Sequence, residues 1–348
     1  MKNSQSYRRF LNKKSALLLL FLAILLITNY ITFYYNQSNS GESHDELNSE
    51  LSNVNYSYKI KRLPGHNYIN PILFIDNKFE SDALIPIKQS VINLIENYKR
   101  IGVINSASFY MIEFNENGWT GINTEEKFMP GSLMKIPILI TFLKMEELNP
   151  GFLNKEILYN QKLTVLNQPK YISKTIHIGK KYTLRELLNY MIAYSDNNAT
   201  NLLYSKLDVI QFKKIFTELG MIAPEITDVN YQITSKDVSY FMRVLYNASY
   251  LNDKNSLYAI TLLRKCNFSE GILSSIPSTV KVAHKFGEAG NLSEEQFSET
   301  ALVYLENNPY VITIMTRGKD YKQLPKVVKD ISGIVYQQMS NSNKILSM

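Results

Sequence analysis

The order of residues predicts an α/β (α+β) fold, an antiparallel sheet flanked by helices, with an all-helical subdomain inserted into it and an N-terminal transmembrane helix ahead of it. Three observations predict it. Alternating apolar residues near both ends of the folded part read as strands, the middle third carries apolar residues at helical spacing, and a long apolar run follows a basic N-terminus.

The N-terminus comes first. Lys2, Arg8, Arg9, Lys13 and Lys14 precede Ala16 to Ile27, an unbroken run of Ala, Leu, Ile and Phe, followed by the aromatics Tyr30, Phe33, Tyr34 and Tyr35. About 20 such residues cross a hydrocarbon core of ~30 Å. Basic flanks stay inside and aromatics favour the far interface, so the reading is a cytoplasmic flank at 1–14, a single-pass anchor at 15–35 and an extracytoplasmic remainder at the cell membrane. No small-x-small cleavage site follows the apolar run, and no cysteine stands there for a lipid. The lipid bilayer is thus an expected partner. Residues 36–67 are rich in Asn, Ser, Glu and Asp and read as a tether, with compact structure from Tyr68 onward.

A helix is predicted over Ile85 to Tyr98, where Ile87, Val91, Ile92, Leu94 and Ile95 recur at helical spacing. A hairpin follows. Ala107, Phe109 and Met111 alternate with Ser108, Tyr110 and Ile112, Asn117-Gly118 supplies turn chemistry, and Trp119 to Ile122 returns. Helices are then expected at Lys135 to Met145, Leu184 to Tyr194, Val209 to Leu219, Asp237 to Tyr246 and Leu257 to Arg264. Thr183 with Glu186 reads as a capping box, Gly220 as a stop and Thr234 as a cap. The period returns to two at Val280 to His284, Thr300 to Leu305 and Tyr310 to Thr316. Leu324, Val327, Val328, Ile331, Ile334 and Val335 then give the last helix its apolar stripe. The sheet part is therefore 68–128 with 270–348 and the helical part 129–269, with a crevice between them as the natural place for a ligand.

The chain has 348 residues, 45% of them hydrophobic, which supports a sizeable core. Its net charge of +7 suggests nucleic acid until the charge is located, since five of the positives precede residue 15. No basic, aromatic-interleaved run occurs in the folded part, which argues against a nucleic-acid partner. The single cysteine, Cys266, excludes an internal disulfide and reads as a packing residue. His44, His66, His177 and His284 lack zinc-site spacing, so no metal or other cofactor is expected.

The stretch F-M-P-G-S-L-M-K-I-P-I-L, residues 128–139, sets Ser132 and Lys135 three apart where a helix begins. Residues at that spacing share a face, and such a pair suits a nucleophile and its base if surroundings lower the lysine's pKa. Two further segments follow in order: Ser195-Asp196-Asn197, and Lys285-Phe286-Gly287 on a predicted strand. S-x-x-K, S-D-N and a K-T-G-like triplet together form the signature of penicillin-binding proteins and class A β-lactamases, and the chain resembles that family. The likeness extends through "WTGINTEEKFMPGSLMKIPILI", "YTLRELLNYMIAYSDNNATNLL", "GILSSIPSTVKVAHKFGE" and "PYVITIMTRG", about residues 85 to 340.

The resemblance implies a β-lactamase/transpeptidase-like fold and an acyl-enzyme mechanism. Ser132 would attack a carbonyl, Lys135 would take its proton, and Ser195 would pass a proton to the leaving nitrogen. Asn197 would hold Lys135 and a substrate amide, Lys285 would attract an anionic substrate, and backbone N–H groups of Ser132 and Glu288 would hold the oxyanion. Gly287 would let the backbone approach the ligand, while Asp196 and His284 read as structural. Three departures stand out. Phe286 replaces the usual Thr or Ser and removes a hydroxyl for a substrate carboxylate. The Glu-x-x-Leu-Asn pattern of the water-activating loop is missing, with Glu225 the candidate substitute and Asp228 a weaker contender. Gly131 stands where Ala is common, with modest effect expected. The substrates implied are β-lactams, which would bring antibiotic resistance, or peptidoglycan-like D-amino-acid peptides. A D,D-carboxypeptidase or penicillin-binding protein with slow deacylation, and a non-catalytic cell-wall peptide-binding module, are the alternatives.

Overall fold

The computed structural model describes residues 27–30, 58–161, 169–225, 228, 230–291 and 293–346. Contacts divide the chain into two units, residues 1–57 and 58–348. Of the first, residues 27–30 form a helical turn, and the expected basic flank, the rest of the 15–35 anchor and the tether up to residue 57 lie outside the described residues. No described helix is long and apolar enough to cross a membrane.

The second unit starts earlier than the composition suggested. Strand β1 (Tyr58–Arg62) pairs antiparallel with β2 (Ile72–Asn77), so residues 58–62 are not tether. Their alternation of Tyr58 and Ile60 with lysines is too short to register as a strand without its partner. Arg243, almost fully buried, anchors β2. Its guanidinium binds the Asp76 carboxylate at 2.5 Å and the Ile75 carbonyl at 2.9 Å and stacks over the Phe74 ring.

Helix α1 (Ile85–Arg100) buries Ile87, Val91 and Ile95, the i, i+4, i+8 positions of one face. Strands β3 (Ser106–Glu113) and β4 (Trp119–Ile122) form the expected hairpin. Its loop is wider than a two-residue turn. Glu113 accepts the N–H groups of Asn115, Glu116 and Gly118, and Asn117 takes a positive φ of 53°. Strand β5 (Lys127–Phe128) leads to a 3-10 turn over Gly131–Met134 and then α2 (Lys135–Leu148), whose buried residues run from Lys135 to Leu143 on every face.

After β6 (Glu156–Leu158) and β7 (Lys181–Thr183), α3 (Leu184–Ala193) starts with the capping box the sequence announced. Thr183 Oγ1 accepts from Glu186 N at 3.1 Å and Thr183 N donates to Glu186 Oε2 at 2.8 Å. Helix α4 (Asn197–Tyr204), which no periodicity suggested, owes its start to Asp196 capping Asn198 N at 3.0 Å. Then come α5 (Val209–Glu218), β8 (Ile233–Thr234), α6 (Ser235–Tyr246) and α7 (Asp253–Leu263). The last segment holds β9 (Lys281–Asn291), β10 (Glu294–Tyr304), β11 (Tyr310–Gly318) and α8 (Leu324–Leu346).

One sheet with strand order β4-β3-β11-β10-β9 is antiparallel throughout, and both ends of the domain supply its strands. Its two faces are covered differently. Ala107, Phe109, Met111, Phe297 and Ile314 pack against α1 and α8. Tyr110, Ile112, Ala283, Leu302 and Met315 belong to the larger core shared with the central helices. Burial on both sides explains why the strands outran their alternating signal. β9 continues to Asn291 through Phe286-Gly287-Glu288-Ala289-Gly290, whose glycines disguise it in the sequence. As the sheet edge, β9 offers one free side to the helical part.

Candidate active site

Ser132 sits in the 3-10 turn and not, as expected, in the first turn of the α-helix, with Leu133 N donating to Pro130 O at 3.0 Å. In that geometry residues three apart eclipse, so Lys135, the first residue of α2, still lies on the Ser132 side. The turn meets β9 main chain to main chain. Gly131 has φ +52°, and a Cβ there would fall 2.9 Å from Glu288 N and closer still to Glu288 O. A Cβ on Gly287 would lie 3.0 Å from Leu133 N and nearer to Pro130 O. Both glycines are therefore needed for contact between the Ser132 turn and the strand. The Gly131 effect is a steric requirement and not the modest one expected. The Gly287 approach is to the turn, not only to a ligand.

Lys135 is 4% exposed. Its Nζ lies 2.6 Å from Ser195 O, 2.7 Å from Asn197 Oδ1 and 3.2 Å from Ser195 Oγ, and among the described residues no hydrogen bond joins it to Ser132 Oγ. As an ammonium it donates to all three. As a neutral amine it donates to Ser195 O and Asn197 Oδ1 and keeps one lone pair to accept a proton. Burial first, and then the neighbouring Lys285 ammonium, hold its pKa well below the ordinary 10.5.

Ser195 adopts φ +53° between α3 and α4, an uncommon conformation for a residue with a side chain. The two lysines converge on it. Lys285, fully buried, donates to Ser195 Oγ at 2.9 Å and to Phe286 O at 2.9 Å, with its Nζ 4.1 Å from the Phe286 ring centroid. Burial pulls its pKa down to about 8. Asp196 turns the other way, capping α4 and accepting from Thr175 Oγ1 at 2.8 Å and Ile176 N at 2.9 Å. Asn197 opens α4 with its side-chain oxygen on Lys135.

Ser132, Ser195, Asn197, Phe286 and Glu288 line one pocket of about 110 Å³, together with Lys170, Tyr171, Glu295 and Tyr321. The last four were invisible in the sequence, since they are scattered along the chain and belong to no motif. Phe286, 2% exposed, turns its ring away into a stack with Phe268 at 4.3 Å. His284 faces the opposite side from Lys285 and binds Glu299 Oε1 at 2.7 Å in the buried layer.

Glu225 is not brought into this pocket. Its side chain is 74% exposed, pairs with Lys213 Nζ at 2.6 Å and borders an adjoining chamber of about 280 Å³ with Asp228, Phe212 and Tyr231. The Lys213 ammonium on α5 holds it outward, a partner that spacing along the chain could not reveal.

The fold has counterparts. "Structure of PBP-A" shares the fold at TM-score 0.63 and 19% identity over 74% of this chain and 97% of that one. "Class A beta-lactamase from Mycobacterium abscessus" does so at TM-score 0.62 and 20% identity, over 73% and 99%. "Beta-lactamase ROB-1" of Haemophilus influenzae is 30% identical over 143 residues, 40% of this chain, and the match spans 43% of that protein's length. A sequence model described as the beta-lactamase enzyme family matches residues 87–339. A match of that extent, over most of the chain, places it in the β-lactamase enzyme family.

Proposed function

We propose that the protein is a serine hydrolase that forms an acyl-enzyme at Ser132, acting on β-lactams or on peptidoglycan-like D-amino-acid peptides. One observation carries the reading: a buried, pKa-depressed Lys135 amine, hydrogen-bonded to Ser195 and Asn197, stands one 3-10 turn from Ser132 at a pocket. A dry amine can accept a proton that a solvated lysine, already charged, cannot.

In the proposed sequence Ser132 Oγ attacks the carbonyl carbon while its proton moves to Lys135 Nζ. The oxyanion is held by the N–H groups of Ser132 and Glu288, each such donor typically contributing ~3 kcal/mol. The C–N bond then breaks, and the proton travels from Lys135 through Ser195 Oγ to the departing nitrogen. Lys285 keeps Ser195 oriented and Lys135 neutral. Water completes the cycle by releasing the acid and restoring Ser132.

Glu225, paired with Lys213 in the neighbouring chamber, favours a long-lived acyl-enzyme, the behaviour of a penicillin-binding protein, over rapid β-lactam turnover. Anchoring through residues 15–35, with the catalytic unit outside the cell, is part of the same proposal and rests on the basic flank and apolar run.

Incubation with a fluorescent penicillin and a chromogenic cephalosporin tests it. A stable label on the wild type, lost in Ser132→Ala, is expected, with slow or no colour change. Equal labelling of the two proteins, or none on either, would remove acyl transfer from the account.

A further inference from the structure

The wall facing Ser132 has an unusual charge. Glu288 lies on the His284–Phe286 face of the edge strand β9, opposite Lys285, and borders the pocket that Ser132 lines. The Glu288 carboxylate accepts from Lys170 N at 3.1 Å, Tyr171 N at 3.0 Å and the Tyr321 hydroxyl, so its charge meets only neutral donors. Lys170 offers no free cation, because its ammonium pairs with Glu295. Lys285 is fully buried and already committed to Ser195 Oγ and Phe286 O, while Phe286 brings a packed ring and no hydroxyl. Among the described residues lining the pocket, the charge without a directly paired counterion is therefore negative, and it belongs to the residue whose N–H the proposed reaction assigns to the oxyanion.

The geometry points to Glu288 as a specificity-determining residue: its carboxylate turns the Ser132 site against acyl donors that carry a carboxylate beside the scissile amide. It favours donors that are neutral or cationic at that place. Like charges in a confined, partly desolvated site repel strongly, and the Lys285 ammonium, which offsets part of this, is buried behind the wall with its hydrogen bonds turned to Ser195 Oγ and Phe286 O. The inference rests on the acyl-transfer reading and narrows its substrate class.

The test compares benzylpenicillin with its methyl ester, following Ser132 adduct formation by intact-protein mass and dividing each rate by that compound's rate with hydroxylamine. Wild type is expected to favour the ester by about tenfold or more, and Glu288→Gln, which keeps the N–H, to reduce that preference about tenfold. Should Glu288→Gln fail to fold, the wild type alone decides: the preference is expected to shrink as salt rises from roughly 0.05 to about 1 M, as Debye screening requires. An acid that reacts as fast as its ester in the wild type, a ratio unmoved in folded Glu288→Gln, or a salt-independent ratio overturns the inference and leaves acyl transfer standing. Absence of any adduct that Ser132→Ala removes overturns both.

Discussion

Replacing Lys285 with methionine separates what this residue does for chemistry from what it does to stability. Its amine is fully buried and its pKa falls from an ordinary 10.5 to about 8. At 1.36 kcal/mol per pH unit this corresponds to about 3 kcal/mol disfavouring the charged form in the fold. Between pH 8 and 10.5 the unfolded chain holds this proton more tightly than the folded one. That part of the stability is therefore present above pH 10.5 and lost as pH falls through 8. Against this, Lys285→Met gives up hydrogen bonds to Ser195 Oγ and Phe286 O, about 1 kcal/mol each, and a cation–π contact of about 1 kcal/mol.

The net change at pH 7 should be within about 1 kcal/mol, so Tm barely moves. Urea unfolding of both proteins from pH 7 to 11 reads the effect, because titrating groups other than the coupled Lys135 cancel in the difference. Wild type should gain on the variant by about 3 kcal/mol across that window. Acylation should behave otherwise. Without its positive neighbour, Lys135 retains its proton to higher pH, and penicillin labelling at pH 7 should fall while its onset moves alkaline. Parallel stability curves, or an unchanged labelling profile, would refute a buried, coupled lysine pair.

Gly131→Ala forces a left-handed alanine against Glu288 and should cost at least about 2 kcal/mol of stability along with most acylation, read by thermal unfolding and labelling. Glu225→Gln should leave the lifetime of the acyl-enzyme within about twofold of wild type, since a truncated surface ion pair contributes under about 1 kcal/mol and no proton transfer depends on it. A collapse of deacylation in that variant, followed by mass spectrometry, would return Glu225 to the reaction.

Much of this site was legible because its residues act through short-range chemistry. Thr183 and Glu186 announce α3 since a capping box lies within one helical turn, and Ser132 with Lys135 could be paired because three residues set a face. What stayed hidden depends on partners far along the chain. Strand β1 exists only through β2, Lys213 decides where Glu225 points, and Tyr321 reaches Glu288 from the approach to α8. Helix α4 escaped notice because its asparagines carry no apolar rhythm, although its Asp196 cap was in view. Gly131 was noted only for standing where Ala is common, because its cost to substitution arises from Glu288, more than 150 positions away.

The bare contact between residues 130–133 and β9 sets a limit on how this site can be retuned. No side chain stands between the two peptide backbones there, so the spacing of the amides that would cradle an anion is fixed by the peptide chain itself, like a gauge block between two jaws. Libraries that diversify the pocket walls can change which molecule enters and how long it stays. They leave that gauge untouched unless one of the two glycines is lost.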